Sequence, residues 1–266
     1  MRNHSISFAL AVAFLALSFP NLSGAETIPV RHIEGVTFGF LVLRTVDGKP
    51  IAYGNLKQVV TGSLVMHELV FHFKDGSLYD EITKFTQKGE FRLVSDQVVQ
   101  KGPAFKQDSE SWIDAASGNI TVRTYKDGKT KETSKHLDVP ADVANGLLFT
   151  IAKNIDPSVE TVVPMVAASD KPRIVKLHIS PAEGKVVKLG AIAFNTQHFV
   201  VKTKIEGAAG VIAPIMGKQP PDAHIWIVKS EAPTFVEFEG PISEDSPVWR
   251  IELMAPEPDA PNLKIN

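Results

Sequence analysis

Short apolar runs alternate with turn residues along most of the chain. The runs are rich in Val, Ile, Phe and Thr. The pairs Asp47-Gly48, Asp75-Gly76 and Asp127-Gly128 are typical of tight hairpins, because both central residues of a type I′ turn need a positive φ. The predicted strands are Val36–Thr45, Ile51–Val60, Val65–Lys74, Leu78–Gln87, Phe91–Gln100, Glu110–Ala115, Ile120–Tyr125, Thr161–Val166, Arg173–Ser180, Val186–Ala193, His198–Glu206, His224–Lys229, Thr234–Glu239 and Val248–Met254.

Many sequential strands joined by tight turns predict an all-β protein, an antiparallel meander that forms an open barrel or half-barrel. One packed α-helix is predicted, over Pro140–Lys153. Pro140 suits the first turn of a helix. Val143, Leu147 and Ile151 recur every four residues and form an apolar stripe.

The first 25 residues have the layout of a secretory signal peptide. Arg2 precedes the apolar run Ile6–Phe19, and Ser23-Gly24-Ala25 offers small residues at a cleavage site. The alternative is an uncleaved membrane anchor, but this run would cover only about 21 Å as a helix, against a hydrocarbon core of about 30 Å. We therefore expect export, with the protein periplasmic or extracellular.

After the signal peptide we expect one domain and a tail. Residues 26–254 should form a single β-rich domain. The tail 255–266 contains Pro256, Pro258 and Pro261 and little apolar content, which predicts disorder.

Charge and cysteine content exclude several function classes. The predicted signal peptide contains one charged residue, Arg2, so the chain that remains after cleavage has 27 Lys and Arg residues and 30 Asp and Glu residues. This near-neutral balance argues against nucleic-acid binding. No apolar stretch after the signal is long enough to predict a transmembrane helix. The chain contains no cysteine, so disulfides, thiol nucleophiles and thiolate metal sites are excluded.

The segment His67-Glu68-Leu69-Val70-Phe71-His72 has histidines close to the spacing of a zinc protease motif. That motif requires a helix and a four-residue spacing, whereas this segment is a predicted strand. The alternation of a strand places His67 with Leu69, Phe71 and Phe73 on one face, and His72 on the other. We therefore predict no metal site and no cofactor.

Other candidate chemistry is equally weak. Asp80 and Glu81 are adjacent on a predicted strand and point to opposite faces, so together with Asp75 they are interpreted as turn and surface residues. Gly217-Lys218 lacks the spacing of a phosphate-binding loop, and no Gly-x-Ser-x-Gly motif occurs. The apolar segment Ala208–Met216 predicts either a buried strand with a proline bulge or a flap at the rim of a cavity.

Three sequence segments resemble those of other proteins. Gly39–Arg44, Lys74–Glu81 together with Phe91-Arg92-Leu93, and Gly217–Asp222 resemble a group of exported bacterial proteins of unknown function that are predicted to be β-rich. The resemblance covers most of the mature chain. It implies export and β architecture, and it carries no activity and no site residues.

Closed or half-closed sheets of this size tend to enclose cavities. We therefore expect a non-enzymatic cell-envelope protein that binds an apolar or amphipathic small molecule or lipid. The expected ligand-binding residues are Phe199, Val201, His224, Trp226 and Trp249.

Two other functions stay open at this point. One is a hydrolase whose site is assembled only in three dimensions, with His224 as base. The other is an interaction module that pairs with partners through an exposed strand edge.

Overall fold

The structure, a computed structural model, describes residues 27–205, 220–244 and 246–254. The predicted signal peptide, the segment Ala208–Met216 and the tail 255–266 lie outside the described residues.

Within these described ranges, fifteen strands and one short helix follow one another. They are β1 (Thr37–Thr45), β2 (Pro50–Thr61), β3 (Leu64–Phe73), β4 (Leu78–Lys88), β5 (Glu90–Lys101), β6 (Asp108–Asp114), β7 (Asn119–Lys126), β8 (Lys129–His136), α1 (Leu148–Asn154), β9 (Thr161–Ala167), β10 (Arg173–Ala182), β11 (Val186–Leu189), β12 (Ile192–Lys204), β13 (Ala223–Val228), β14 (Phe235–Gly240) and β15 (Trp249–Leu253).

The strands form one antiparallel sheet in the order β8-β7-β6-β5-β4-β3-β2-β1-β15-β14-β13-β12-β10-β9, and β11 pairs with β12. The first and last strands, β1 and β15, are neighbours at the centre. The sheet stays open between β8 and β9, its two edges. The predicted all-β open barrel with one helix is confirmed.

Alternation along each strand sets which face is buried. In β3, for example, His67, Leu69, Phe71 and Phe73 are buried while His72 is exposed. Equivalent positions of the other strands pack into one large apolar core on the concave face. The two histidines of this strand therefore lie on opposite faces, as the sequence predicts.

The three Asp-Gly turns are hairpin turns of two kinds. At Asp127-Gly128 both residues have positive φ, 51° and 72°, which a type I′ turn requires. At Asp47-Gly48 and Asp75-Gly76 only the glycines do, with φ of 91° and 89°. There the glycine occupies the left-handed position of a longer hairpin loop, so the prediction of type I′ geometry holds for one of the three pairs.

Two other elements differ from the sequence prediction. The predicted strand Val186–Ala193 is a hairpin, because Gly190 turns the chain with φ of 60°. The edge strand β8 was missing from the predicted set because nearly all its side chains are polar and exposed.

The helix is only seven residues long, Leu148–Asn154, and not the predicted Pro140–Lys153. Gly146 has φ of 64°, which a right-handed helix cannot accommodate. The residues before it pair with β9 instead. Ala144 N–H donates to Pro164 O at 2.8 Å, and the Asn145 side chain bonds both the N–H and the C=O of Val166. This segment thereby covers the outer edge of β9.

The end of α1 holds the N-terminal segment in place. Asn154 Oδ1 accepts the backbone N–H groups of Arg31 and His32 at 2.9 and 2.7 Å. Lys153 Nζ lies 2.5 Å from Glu34 Oε1. The N-terminal segment also pairs with β5, through the bridge of Pro29 to Glu90.

Side chains span the open side of the half-barrel. Lys131 of β8 lies 2.5 Å from Asp170 in the β9–β10 turn, and Lys135 Nζ donates to Pro172 O at 2.9 Å. The ion pair is exposed on both partners, so its contribution to stability is small.

Gly146 touches the concave face of the sheet so closely that a side chain cannot be added. A Cβ on Gly146 would lie 1.9 Å from Thr83 Oγ1 and 2.7 Å from Thr83 Cβ. Gly62 has nearly the same φ, 62°, and open space around it. We predict that Gly62→Ala costs about 1 kcal/mol for its left-handed backbone, and that Gly146→Ala costs several-fold more. Urea unfolding of both variants measures the difference; equal losses would contradict this packing.

Candidate functional site

A row of polar side chains crosses the apolar concave face. Gln58, His67, Thr83 and Asp96 are direct partners on β2, β3, β4 and β5. They are 3%, 6%, 1% and 4% exposed. Buried polar groups cost free energy unless they are hydrogen-bonded. Each of these four side chains therefore needs a hydrogen-bonding partner in the interior.

A β-bulge places Asp96 in this row. The register between β4 and β5 shifts so that Lys84 pairs with Ser95 and Phe85 with Leu93, which leaves Val94 as the extra residue. Leu93 and Asp96 therefore both face the interior, although they are three residues apart.

Each end of the row has partners. Gln58 Nε2 donates to Glu34 Oε2 at 3.0 Å and to Gly35 O at 2.7 Å. Thr83 Oγ1 donates to Asp96 Oδ1 at 2.8 Å. One atom in the middle has none: His67 Nδ1 is buried without a hydrogen-bonding partner.

Next to the row lies an interior cavity of about 330 Å³. Its walls are largely apolar and come from the sheet, from the segment before α1 and from β9. The apolar lining includes Leu69, Val98, Leu148, Phe149, Met165, Val175, Leu177, Val201, Phe238 and Ile251; the polar lining includes His67, Tyr79, Glu81, Asp96, Gln100, Ser111, Arg173 and Glu244.

A second cavity of about 500 Å³ adjoins the first. The residues that line both cavities are Val98, Gln100, Ser111, Ala168, Arg173, Ser243 and Glu244. The second also touches Asp170 and Lys171 of the β9–β10 turn, so it lies at the open side of the half-barrel.

Two carboxyl groups face the first cavity together. Glu81 and Asp96 lie on neighbouring strands, and Glu81 Oε2 accepts the hydroxyl of Tyr79 at 3.0 Å. Burial, and after it the Asp96 carboxylate, raise the pKa of Glu81 to about 8. Burial also raises the pKa of Asp96, to about 6, against the hydrogen bond from Thr83. At neutral pH the pair therefore holds a proton on Glu81 and a negative charge on Asp96.

His67 is uncharged in the folded protein. Burial, and after it the nearby Lys153 charge, lower its pKa to about 4, against the opposing effect of Glu34. A neutral imidazole carries one donor and one acceptor nitrogen. In either tautomer the ring can therefore donate one hydrogen bond and accept another.

The five sequence-predicted ligand residues do not gather around one cavity. Val201 lines the first cavity. Phe199 is fully buried on the same face, and Trp249 packs against Phe73 and Phe105. His224 and Trp226 point to the convex face, so a molecule in the cavity does not contact these two.

His224 and Trp226 belong to a stack of rings on the convex face. The His198 ring lies 4.4 Å from Trp226 and nearly parallel to it. His198 Nδ1–H donates to Glu183 O at 3.0 Å, and His198 Nε2 bonds His224 Nδ1 at 2.9 Å. Burial lowers the pKa of His198. Lys185 Nζ lies 4.0 Å above Trp226 and 2.7 Å from Glu237 Oε1.

Sequence reasoning assigned Glu81 to the surface and missed Tyr79 and Asp96. The assignment of Glu81 is corrected by its position on the cavity. A signal was present: Glu81 alternates with Tyr79 and Phe85, both buried aromatic residues. Asp96 had no such signal, because the bulge at Val94 changes the alternation.

Comparisons with known proteins do not indicate a function, so the site is the main guide to it. No family model, no curated protein and no solved structure matches the chain. Across residues 27–205, 220–244 and 246–254, no three His, Asp or Glu side chains are grouped to hold a metal ion. In the same residues no helix is long and apolar enough to cross a membrane.

The raised pKa of Glu81 predicts a pH dependence of stability. Between pH 6.5 and 8 the folded protein holds a proton on Glu81 that the unfolded chain has lost. The free energy of unfolding therefore falls as pH rises through this window, by about 1–2 kcal/mol. His67, whose pKa is lowered from 6.5 to about 4, acts in the opposite direction, mostly below this window and by about 0.4 kcal/mol within it.

Chemical unfolding at pH 6.5 and pH 8 measures this difference. Glu81→Gln should remove most of the fall, because the amide does not titrate. Glu231→Gln, in an exposed loop, serves as the control and should leave it unchanged. An equal pH dependence in wild type and Glu81→Gln would contradict the raised pKa.

Proposed function

We propose that the protein binds an apolar or amphipathic small molecule in the interior cavity, as a non-enzymatic protein of the cell envelope. The observation that carries the proposal is the cavity of about 330 Å³ with largely apolar walls and a few polar groups. This combination is typical of small-molecule sites, where apolar walls supply burial and polar groups orient the guest.

The construction of the walls supports the proposal. Apolar residues that face a cavity lose contacts they would make in a filled core, which costs free energy. Here the cavity is bounded by a segment fixed to β9 through Asn145 and to the sheet through Gly146. A guest molecule would supply the missing contacts without moving this segment.

The alternative functions receive less support. For a hydrolase that uses His224, the base needs a carboxylate and a hydroxyl within reach; the bond found for His224 joins it to the His198 ring on the convex face. For an interaction module, one edge of the sheet, β9, is covered by Ala144 and Asn145. The other edge, β8, carries three lysines, which disfavour edge pairing.

Export is the second part of the proposal. It rests on the layout of the first 25 residues. Fractionation of cells that express the full-length chain, followed by mass determination, tests it: we expect the mature protein to begin at Glu26 and to leave the cytoplasm.

Binding is tested on the protein purified from those cells. We expect organic solvent to extract an apolar molecule that mass spectrometry detects, and an apolar fluorescent probe to bind to protein stripped of that molecule. Val201→Phe places a larger side chain in the cavity and should weaken probe binding about tenfold or more. Val200→Phe changes the neighbouring residue on the opposite face of β12 and should not.

Two results would contradict binding in the cavity. One is wild-type protein that yields a clean extract and binds no probe. The other is a folded Val201→Phe variant that binds the probe as tightly as wild type.

A further inference from the structure

We propose that the guest is an amphipathic amine, whose protonated nitrogen lies between Glu81 and Asp96 and whose apolar body fills the rest of the cavity. This inference rests on the proposed function, because it specifies the chemistry of the molecule that the same cavity holds.

The charge on this wall of the cavity favours a cationic guest. Glu81 and Asp96 face the cavity from neighbouring strands, and the hydrogen bonds they accept come from the neutral hydroxyls of Tyr79 and Thr83. Buried carboxylates are normally paired with a cation. Lys153 lies against Glu34 instead. Arg173, which also lines the cavity, lies 3.6 Å from Glu244 through Nη2, and its Nε is buried without a hydrogen-bonding partner.

An unsatisfied atom lies on the same cavity wall. His67 Nδ1 is buried without a partner, and His67 lines the cavity. In the sheet register His67 is diagonal to Glu81 and two strands from Asp96, with Thr83 between. As an acceptor, Nδ1 offers an N–H donor of the guest a further buried partner on this wall.

An apolar wall surrounds the acidic pair. Leu69 and Val98 flank Glu81 on either side in the sheet register. Beyond them the cavity is lined by side chains of α1, β9, β10 and β12, including Phe149, Met165 and Leu177. A hydrocarbon body attached to the amine would bury its surface there, at about 25 cal/mol per Å².

Other ligand classes fit less well. A carboxylate or phosphate would meet the negative charge of the pair, which like-charge repulsion disfavours. A divalent cation would need a third acidic or histidine ligand, and among residues 27–205, 220–244 and 246–254 no three such side chains, those of this cavity included, are grouped to hold one ion. A neutral alcohol would fill the apolar part of the cavity but leave the acidic pair without a counter-charge.

Binding of an ammonium ion also has a proton balance. The positive charge favours the ionised form of both carboxyls, so the proton held by Glu81 leaves to solvent when the amine binds. The titratable or charged groups that line the cavity besides the pair are His67, Tyr79, Arg173 and Glu244. Of these, Tyr79 has its pKa raised by burial, which leaves it neutral throughout the range of the test.

The test compares three probes with the same chain: n-octylamine, n-octanol and n-octanoate. Each competes with an apolar fluorescent probe for stripped wild-type protein at pH 7. We expect n-octylamine to displace the probe at a concentration about tenfold or more below that of n-octanol, and n-octanoate to be the weakest. Calorimetry in two buffers of different ionisation enthalpy should show proton release with n-octylamine and none with n-octanol.

Variants assign the preference to the acidic pair. Glu81→Gln with Asp96→Asn keeps oxygens that accept the Tyr79 and Thr83 hydroxyls, and it should bring n-octylamine and n-octanol to equal affinity. The control is Glu68→Gln with Asp80→Asn, which removes two carboxylates from the opposite face of β3 and β4. The control should retain the preference for the amine.

The outcomes separate the two proposals. If none of the three probes binds, the proposed function and this inference both fail. If n-octanol or n-octanoate binds wild type as tightly as n-octylamine, the cavity binds apolar molecules but the inference of an amine is wrong. If the preference survives in the double variant of Glu81 and Asp96, the ammonium site lies elsewhere and the inference is overturned.

Discussion

Carboxyl groups inside an apolar sheet carry a desolvation cost that the surrounding residues must offset, and this constraint organises the interior of the protein. Each ion removed from water costs several kcal/mol after relaxation. The interior lowers the cost by hydrogen bonds from Tyr79 to Glu81 and from Thr83 to Asp96. The desolvation cost is lowered further because the pair keeps one proton, as the raised pKa of Glu81 shows.

The segment from Ala144 to Asn154 connects this interior to the ends of the sheet. Its first part covers the edge of β9 through Asn145, and Gly146 lies directly against Thr83, the residue that bonds Asp96. Its last part holds Glu34 through Lys153. A single stretch of chain thus caps an edge, walls the cavity and fixes the N-terminal segment, which explains why it does not form the longer helix that its apolar periodicity predicts.

The sequence predicts the architecture better than the site, for physical reasons. Alternation and Asp-Gly turns predict most of the strands and the face of His67, because both depend on local geometry. The position of Asp96 depends on a bulge at Val94 that no local feature of the sequence predicts. The pairing of Glu81 with Asp96 depends on the register between two strands. The sequence pattern around His224 and Trp226 resembles that of an interior face because the β11–β12 hairpin covers part of the convex face, where Phe194 and Leu189 pack against the cluster that contains Trp226.

Glu81, which is half-buried, and Asp96, which is buried, form an acidic pair whose carboxyl groups influence each other in an apolar cavity, and a titration of their carboxyl carbons by NMR tests this pairing most directly. In the stripped protein we expect Glu81 to titrate near pH 8 and Asp96 near pH 6, and we expect Asp96→Asn to lower the pKa of Glu81. Two independent titrations in the ordinary carboxyl range, unaffected by each other's substitution, would contradict the account.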